Sequence, residues 1–320
     1  MTDSILKLEN LSIGYQQPVC TGINAAVQQG ELVGLAGKNG SGKSTLLKTI
    51  LGLQPTLNGK IFINGKDSRT LNPQQNAKEI AVVFSRLSRT PAISVFDLVA
   101  LGRLPYSNGF SKLKPDEKMK IDEILELVGI SALKNRFATQ LSDGQLQMVM
   151  IARALVQETG LILMDEPSSH LDIENQFKIF ELIYKLSKET GKTFVIASHQ
   201  VELLLQNASR LWWMDNGNFF AGFPEEVALR QEIFEKLSQN QIKFDYLEGH
   251  FKFFHPKNKS LYLANDGSAL AYWTIHALER NGFEISKKSA DHLQIQNGRL
   301  VMDNRIFNTI EELIHFLNRV

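Results

Sequence analysis

The sequence predicts an α/β protein with parallel strands at its core and a small α+β unit towards its C-terminal end. Two compact apolar runs, at 161–164 and 193–197, flank a long amphipathic helical pattern from about residue 174 to 188. Strand–helix–strand alternation of that kind implies parallel pairing, because only a crossover can bring the second strand back in the same direction. A third run, Leu32-Val33-Gly34-Leu35-Ala36, reads as a buried strand and leads into a helical pattern over 44–51 that Gly52 closes. Near residue 240 the composition shifts, and the elements beyond become short and aromatic-rich.

The remaining elements follow in order. Residues 6–8 and 11–13 alternate as short strands before Gly14, and 60–63 lies between the turn signals Asn58-Gly59 and Asn64-Gly65. The stretch 91–157 is mainly helical. Within it Pro115, Asp116 and Glu117 open a helix whose Ile121, Ile124, Leu125 and Val128 recur at helical spacing, with Gly129 beyond its end. In the C-terminal unit Asn297-Gly298 marks a hairpin. A last helix over 309–318 buries Ile310, Leu313, Ile314 and Leu317, with Glu311 and Glu312 favourably placed in its first turn. The division this implies is a first domain over 1–240, carrying a helical subdomain at about 86–157, and an α+β extension over 241–320.

Bulk properties narrow the function classes. The chain has 320 residues, 43% of them hydrophobic, which is enough for a sizeable core. A formal net charge of +1 argues against a nucleic-acid binder that works by neutralising phosphates, so no nucleic-acid partner is expected. The single cysteine, Cys20, allows no intrachain disulfide and fits a reducing compartment. The N-terminus does not read as a secretory signal. No apolar run approaches the roughly 20 residues that span a bilayer, so a role in transport would require docking onto a membrane partner.

Gly37-Lys38-Asn39-Gly40-Ser41-Gly42-Lys43-Ser44-Thr45 matches the phosphate-binding P-loop, between the strand and helix that the pattern requires. Glycines allow successive backbone N–H groups to turn inward around phosphates, and the helix start aims its positive end at the same anion. Lys43 is expected to reach the β- and γ-phosphates of ATP, and the Ser44 hydroxyl to ligate Mg²⁺. The apolar run at 161–164 ends in Asp165 and Glu166, at the strand end where ligands of parallel sheets collect. Asp165 is expected to hold Mg²⁺, and Glu166 to orient and deprotonate the attacking water. A P-loop alone leaves kinases, GTPases and many other ATPases open.

Leu141-Ser142-Asp143-Gly144-Gln145 resembles the LSGGQ signature of ATP-binding cassette (ABC) proteins, and the resemblance covers about residues 3–235. It implies a P-loop cassette with a mixed sheet and a helical subdomain. It also implies that Ser142, Gly144 and Gln145 contact the γ-phosphate held by a second copy of the chain, head to tail. As an isolated segment, Ser142 also suits an ordinary helix cap. The resemblance further places Tyr15 where an aromatic ring stacks on adenine, makes Ser169-His170-Leu171-Asp172 the D-loop that bridges two copies, and makes His199 the switch histidine. Two positions depart from the pattern. Ser85 stands where a glutamine that senses Mg²⁺ is usual, and Asp143 replaces a glycine, from which it is expected to face away from the phosphate.

Residues 94–106, reading Ser-Val-Phe-Asp-Leu-Val-Ala-Leu-Gly-Arg-Leu-Pro-Tyr, resemble a segment of the iron–siderophore, haem and vitamin B12 importer ATPases. That implies an ATPase subunit bound peripherally at the cytoplasmic face of the inner membrane, with two permease subunits contacting about residues 85–110. An importer for another substrate, a soluble ABC ATPase acting on ribosomes or DNA, and a purely sensory nucleotide-binding module are the alternatives. Five of the seven histidines, His250, His255, His276, His292 and His315, fall in the extension, and their spacing matches no metal-ligand motif.

Overall fold

The computed structural model describes residues 4–84, 92–107, 113–230, 242–245, 249–253, 255–264, 266–286, 289 and 291–318. The chain divides into two compact units, Met1–Ile233 and Phe234–Val320.

In the first unit an antiparallel sheet combines β1 (Leu6–Gly14), β2 (Pro18–Val27), β4 (Asn58–Ile63) and β5 (Lys66–Asp67) in the order β2-β1-β4-β5. The two short strands expected over 6–13 are one strand. Its pairing with β2 shifts register between Leu8 and Leu11, where Asn10 adopts φ 46. That bulge interrupts the alternation on which a period-two reading depends. Asn58-Gly59 is not a turn but the start of β4, where a side chain at Gly59 would collide with the Glu9 and Asn10 backbone.

The second sheet contains β3 (Leu32–Gly37), β6 (Ile80–Phe84), β7 (Leu161–Asp165), β8 (Thr193–Ala197), β9 (Arg210–Asp215) and β10 (Asn218–Gly222), ordered β10-β9-β3-β8-β7-β6. All pairs are parallel except β9 with β10. β3 and β8 are buried along their whole length, as parallel strands covered on both faces must be. Helix α1 (Lys43–Ile50) packs its Leu46, Leu47 and Ile50 into a core shared by both sheets, with Leu35, Leu163 and Trp212.

Helices α2 (Pro73–Glu79), α3 (Val95–Ala100), α4 (Pro115–Leu127) and α5 (Asp143–Leu155) follow one another around β6. Helices α6 (Ile173–Thr190), α7 (Val201–Asn207) and α8 (Pro224–Leu229) complete the unit. Arg103, only 6% exposed, ties the helical region together: its guanidinium donates to Val156 O at 2.9 Å and to Glu158 Oε2 at 2.6 Å.

The second unit holds the hairpin β11 (Ile242–Asp245) with β12 (His250–Phe253). A five-stranded sheet combines β13 (Lys259–Leu263), β14 (Phe283–Ile285), β15 (His292–Gln296), β16 (Arg299–Met302) and β17 (Arg305–Phe307), and α9 (Ala269–Arg280) and α10 (Ile310–Leu317) accompany it. Helix α9 connects the parallel pair β13 and β14. Asn297 and Gly298 both take positive φ, as a tight two-residue hairpin between β15 and β16 requires. Leu261, Leu278, Leu293, Leu300, Leu313 and Leu317 lie in this unit's separate core.

Candidate nucleotide site

Three parallel strands end side by side. In the ladders Leu35 and Asp165 both pair with Ala197, so the loops after β3, β7 and β8 leave the sheet from one row. The phosphate loop leaves β3 at Gly37, whose φ of 146 is glycine territory. A Cβ there would press onto the carbonyl oxygen of Met214 on β9, with the carbonyl carbon 3.0 Å away. Helix α1 then begins at Lys43 after Gly42, which also adopts a left-handed φ of 104. Asn39 and Gly40 form the exposed tip, and Thr45 lies in the first turn of α1.

Lys43 is 7% exposed, and its ammonium donates to Gly37 O at 2.8 Å and Lys38 O at 3.1 Å. Burial pushes its pKa down, and the nearby charges of Glu166 and Asp165 oppose that shift. Ser44 Oγ donates to Asp165 Oδ1 at 3.0 Å, which joins the loop to the acidic strand end. Beside it Glu166 holds a left-handed φ of 53, a strained conformation for a glutamate. Its N–H donates to Ala197 O at 2.9 Å, and its O accepts from Ser169. Those bonds fix the turn that swings the Glu166 carboxylate towards His199, whose Nδ1 lies 2.8 Å from Glu166 Oε2.

The structure therefore brings Lys43, Ser44, Asp165, Glu166 and His199 together. Ser142, Gly144, Gln145 and Asp172 make a second cluster. Ser142 caps α5, its hydroxyl accepting from Gln145 N at 3.3 Å while Gln145 Oε1 accepts from Ser142 N at 3.1 Å. Asp172 caps α6 and accepts from both nitrogens of Asn175. Asn175 also fills the space beside Gly144, where a Cβ would meet its Cγ and Oδ1 at 3.0 Å. Asp143 is exposed in the first turn of α5, where the helix dipole favours a carboxylate. Tyr15 sits in the turn between β1 and β2, 59% exposed. Ser85 lies outside the described residues.

Three supporting contacts join residues that no sequence motif had paired. Buried Ser168 donates to Gln200 Oε1 at 2.7 Å, which pins the loop after Glu166 to the segment carrying His199. Lys38 of the phosphate loop approaches Asp215 Oδ1 at 3.9 Å. Asn175 joins the two caps, and its place in the first turn after Asp172 was the only signal that could have revealed it.

Residues 20–169 match the ABC transporter family, and residues 258–318 match the iron ABC transporter C-terminal domain. An ABC transporter ATP-binding protein of Methanocaldococcus jannaschii is 34% identical over 88% of this chain and 98% of its own. The chain belongs to the ATP-binding proteins of ABC transporters. Another member, the iron(3+)-hydroxamate import ATP-binding protein of Bacillus subtilis, is 34% identical over 61% of this chain and 73% of its own. The fold agrees: a chain of an ABC transporter solved in an inward-facing conformation superposes with a TM-score of 0.67 at 30% identity, covering 79% of this chain and 98% of that one. As an ABC ATP-binding protein the chain binds and hydrolyses a nucleotide. Among the described residues no helix is long and apolar enough to cross a membrane.

Proposed function

We propose that the protein is the ATP-hydrolysing subunit of an importer for an iron–siderophore, haem or cobalamin-type compound. Two copies would work head to tail beneath two permease subunits, at the cytoplasmic face of the inner membrane. What carries the iron reading is the iron-transporter C-terminal domain appended to an ABC cassette.

The site's own residues support the chemistry. The buried Lys43 ammonium offers a positive charge for the terminal phosphates, and backbone N–H groups of the phosphate loop would take their remaining oxygens. Ser44 Oγ and Asp165 Oδ1, 3.0 Å apart, are a pair of hard oxygen donors that fit Mg²⁺, which when bound would offset phosphate charge. Glu166 would take the proton of the attacking water, and His199, 2.8 Å away, would hold that carboxylate in place and touch the γ-phosphate. The start of α5, with Ser142 and Gly144, would close over the phosphate of the other copy. A groove of about 760 Å³ lies between the sheet region and the helical subdomain. Leu101, Leu104 and Pro105 line it within the 85–110 stretch expected to face the permease, of which 92–107 is described.

Growth of cells on a ferric chelate as sole iron source tests this reading. Cells lacking the gene should recover on re-expression of the wild-type chain and stay arrested with Glu166→Gln. Full recovery with Glu166→Gln, or isolation of the tagged chain with ribosomes rather than membranes, would overturn it.

A further inference from the structure

The second unit contains a cavity of about 850 Å³, within the usual range for small-molecule sites. Three of the histidines that sequence spacing leaves scattered line it from three separate segments: His255 after β12, His276 on α9 and His315 on α10. His276 packs against the aromatic pair on the preceding turn of its own helix, with centroids 4.4 Å from Tyr272 and 5.7 Å from Trp273. His255 and His276 are half-buried, and neither has a hydrogen-bond or ion-pair partner among the described residues. Their ring nitrogens are left to whatever enters the cavity.

The rest of the wall is selective. Trp273 and Phe253, 62% and 69% exposed, offer flat apolar surface. Arg280 brings positive charge to the wall and makes no ion pair among the described residues, whereas Lys252 is already paired with Asp245 at 2.8 Å. Of the two carboxylates on the same wall, Glu279 is matched by Lys257 at 3.0 Å and Glu311 lies 3.5 Å from His315 Nε2. Yet among the described residues no three His, Cys, Asp or Glu side chains approach closely enough to hold a bare metal ion. Imidazoles that share a cavity but cannot share an ion fit a metal that arrives already chelated, with one or two coordination positions open.

We propose that this cavity binds a flat, anionic iron chelate with open axial positions, with His276 as an iron ligand. A neutral imidazole nitrogen donates its lone pair to ferric iron and displaces an axial water, with no change of oxidation state. The ring system lies against Trp273 and Phe253, and its acid groups meet Arg280. The site is separate from the nucleotide site and does not depend on which cargo the transporter carries.

Haemin and metal-free protoporphyrin, titrated into the full-length protein, distinguish the possibilities. Haemin should bind with a shifted Soret band, at least tenfold more tightly than the metal-free ring. H276A should weaken haemin binding at least tenfold and abolish the shift. The control variant H250A/H292A, which changes histidines of the same unit outside the cavity, should bind as wild type. Equal binding of the two porphyrins, equal loss in the control variant, or no binding of haemin would each overturn the proposal. Circular dichroism of every variant separates lost binding from lost folding.

Discussion

Replacing Gly37 with alanine should damage the cassette through its backbone rather than through any lost chemistry. The new Cβ would collide with the Met214 carbonyl oxygen and stand 3.0 Å from both the Met214 carbonyl carbon and Ser41 Oγ. Gly37 and Met214 are paired in the β3–β9 ladder, so relief requires moving one strand away from the other. A backbone conformation reserved for glycine costs about 1–3 kcal/mol, and forcing a methyl into packed backbone adds about 1–3 kcal/mol. A loss of roughly 4 kcal/mol would lower the melting temperature of a unit of this size by roughly 8–16 °C. Gly40→Ala is the internal control. Gly40 also has positive φ, 79, but nothing lies within 4 Å of its Cβ position. It should cost about 1–2 kcal/mol, the left-handed penalty alone. Differential scanning calorimetry of the two variants side by side is the assay. Equal melting temperatures would show that β9 yields freely at Met214 and that the steric argument is wrong.

Lys43→Met should abolish ATP binding in a filter or fluorescence assay while leaving the apo fold at least as stable as wild type, because it removes a buried amine. Its pKa lies below that of an unfolded lysine, so between the two values the unfolded chain binds more protons and Lys43 makes stability rise with pH. Chemical denaturation from pH 8 to 10.5 should show that rise diminished in Lys43→Met. Glu166→Gln should cut phosphate release by about 10²–10⁴-fold, the usual contribution of a general base, and retain nucleotide-dependent dimers on gel filtration. Arg103→Met removes the buried guanidinium that binds Val156 O and Glu158. Glu158 is partly exposed, but Glu117, 3.5 Å from Arg103 Nε, is only 15% exposed, so the loss should be roughly 3 kcal/mol by urea titration, where the ranges for a lost charged hydrogen bond and a broken buried pair meet.

Much of the nucleotide site was legible because its chemistry is local in sequence. The phosphate loop needs glycines at fixed offsets, and an apolar run ending in Asp165-Glu166 points at a strand end with one plausible use. The edges were harder. β2 alternates weakly, with small residues such as Thr21, Gly22, Asn24 and Ala25, and its existence depends on pairing with β1 rather than on any pattern of its own. The left-handed turn at Asn10 split β1 into two apparent strands. The bonds of Ser168 with Gln200 and of Asn175 with Asp172 carry no periodic or compositional mark. The histidines around the second unit's cavity come together only through its tertiary fold, which spacing along the chain does not record.

The contact of Gly144 with Asn175 has a consequence for timing. Asn175 is bound through two nitrogens to Asp172, so the beginnings of α5 and α6 meet at a single side chain. Any movement of the start of α5 would have to carry the loop bearing Asp172 with it or open a gap beside Gly144. In the proposed head-to-tail pairing, the two helix starts would therefore reach the neighbouring copy in the same stroke.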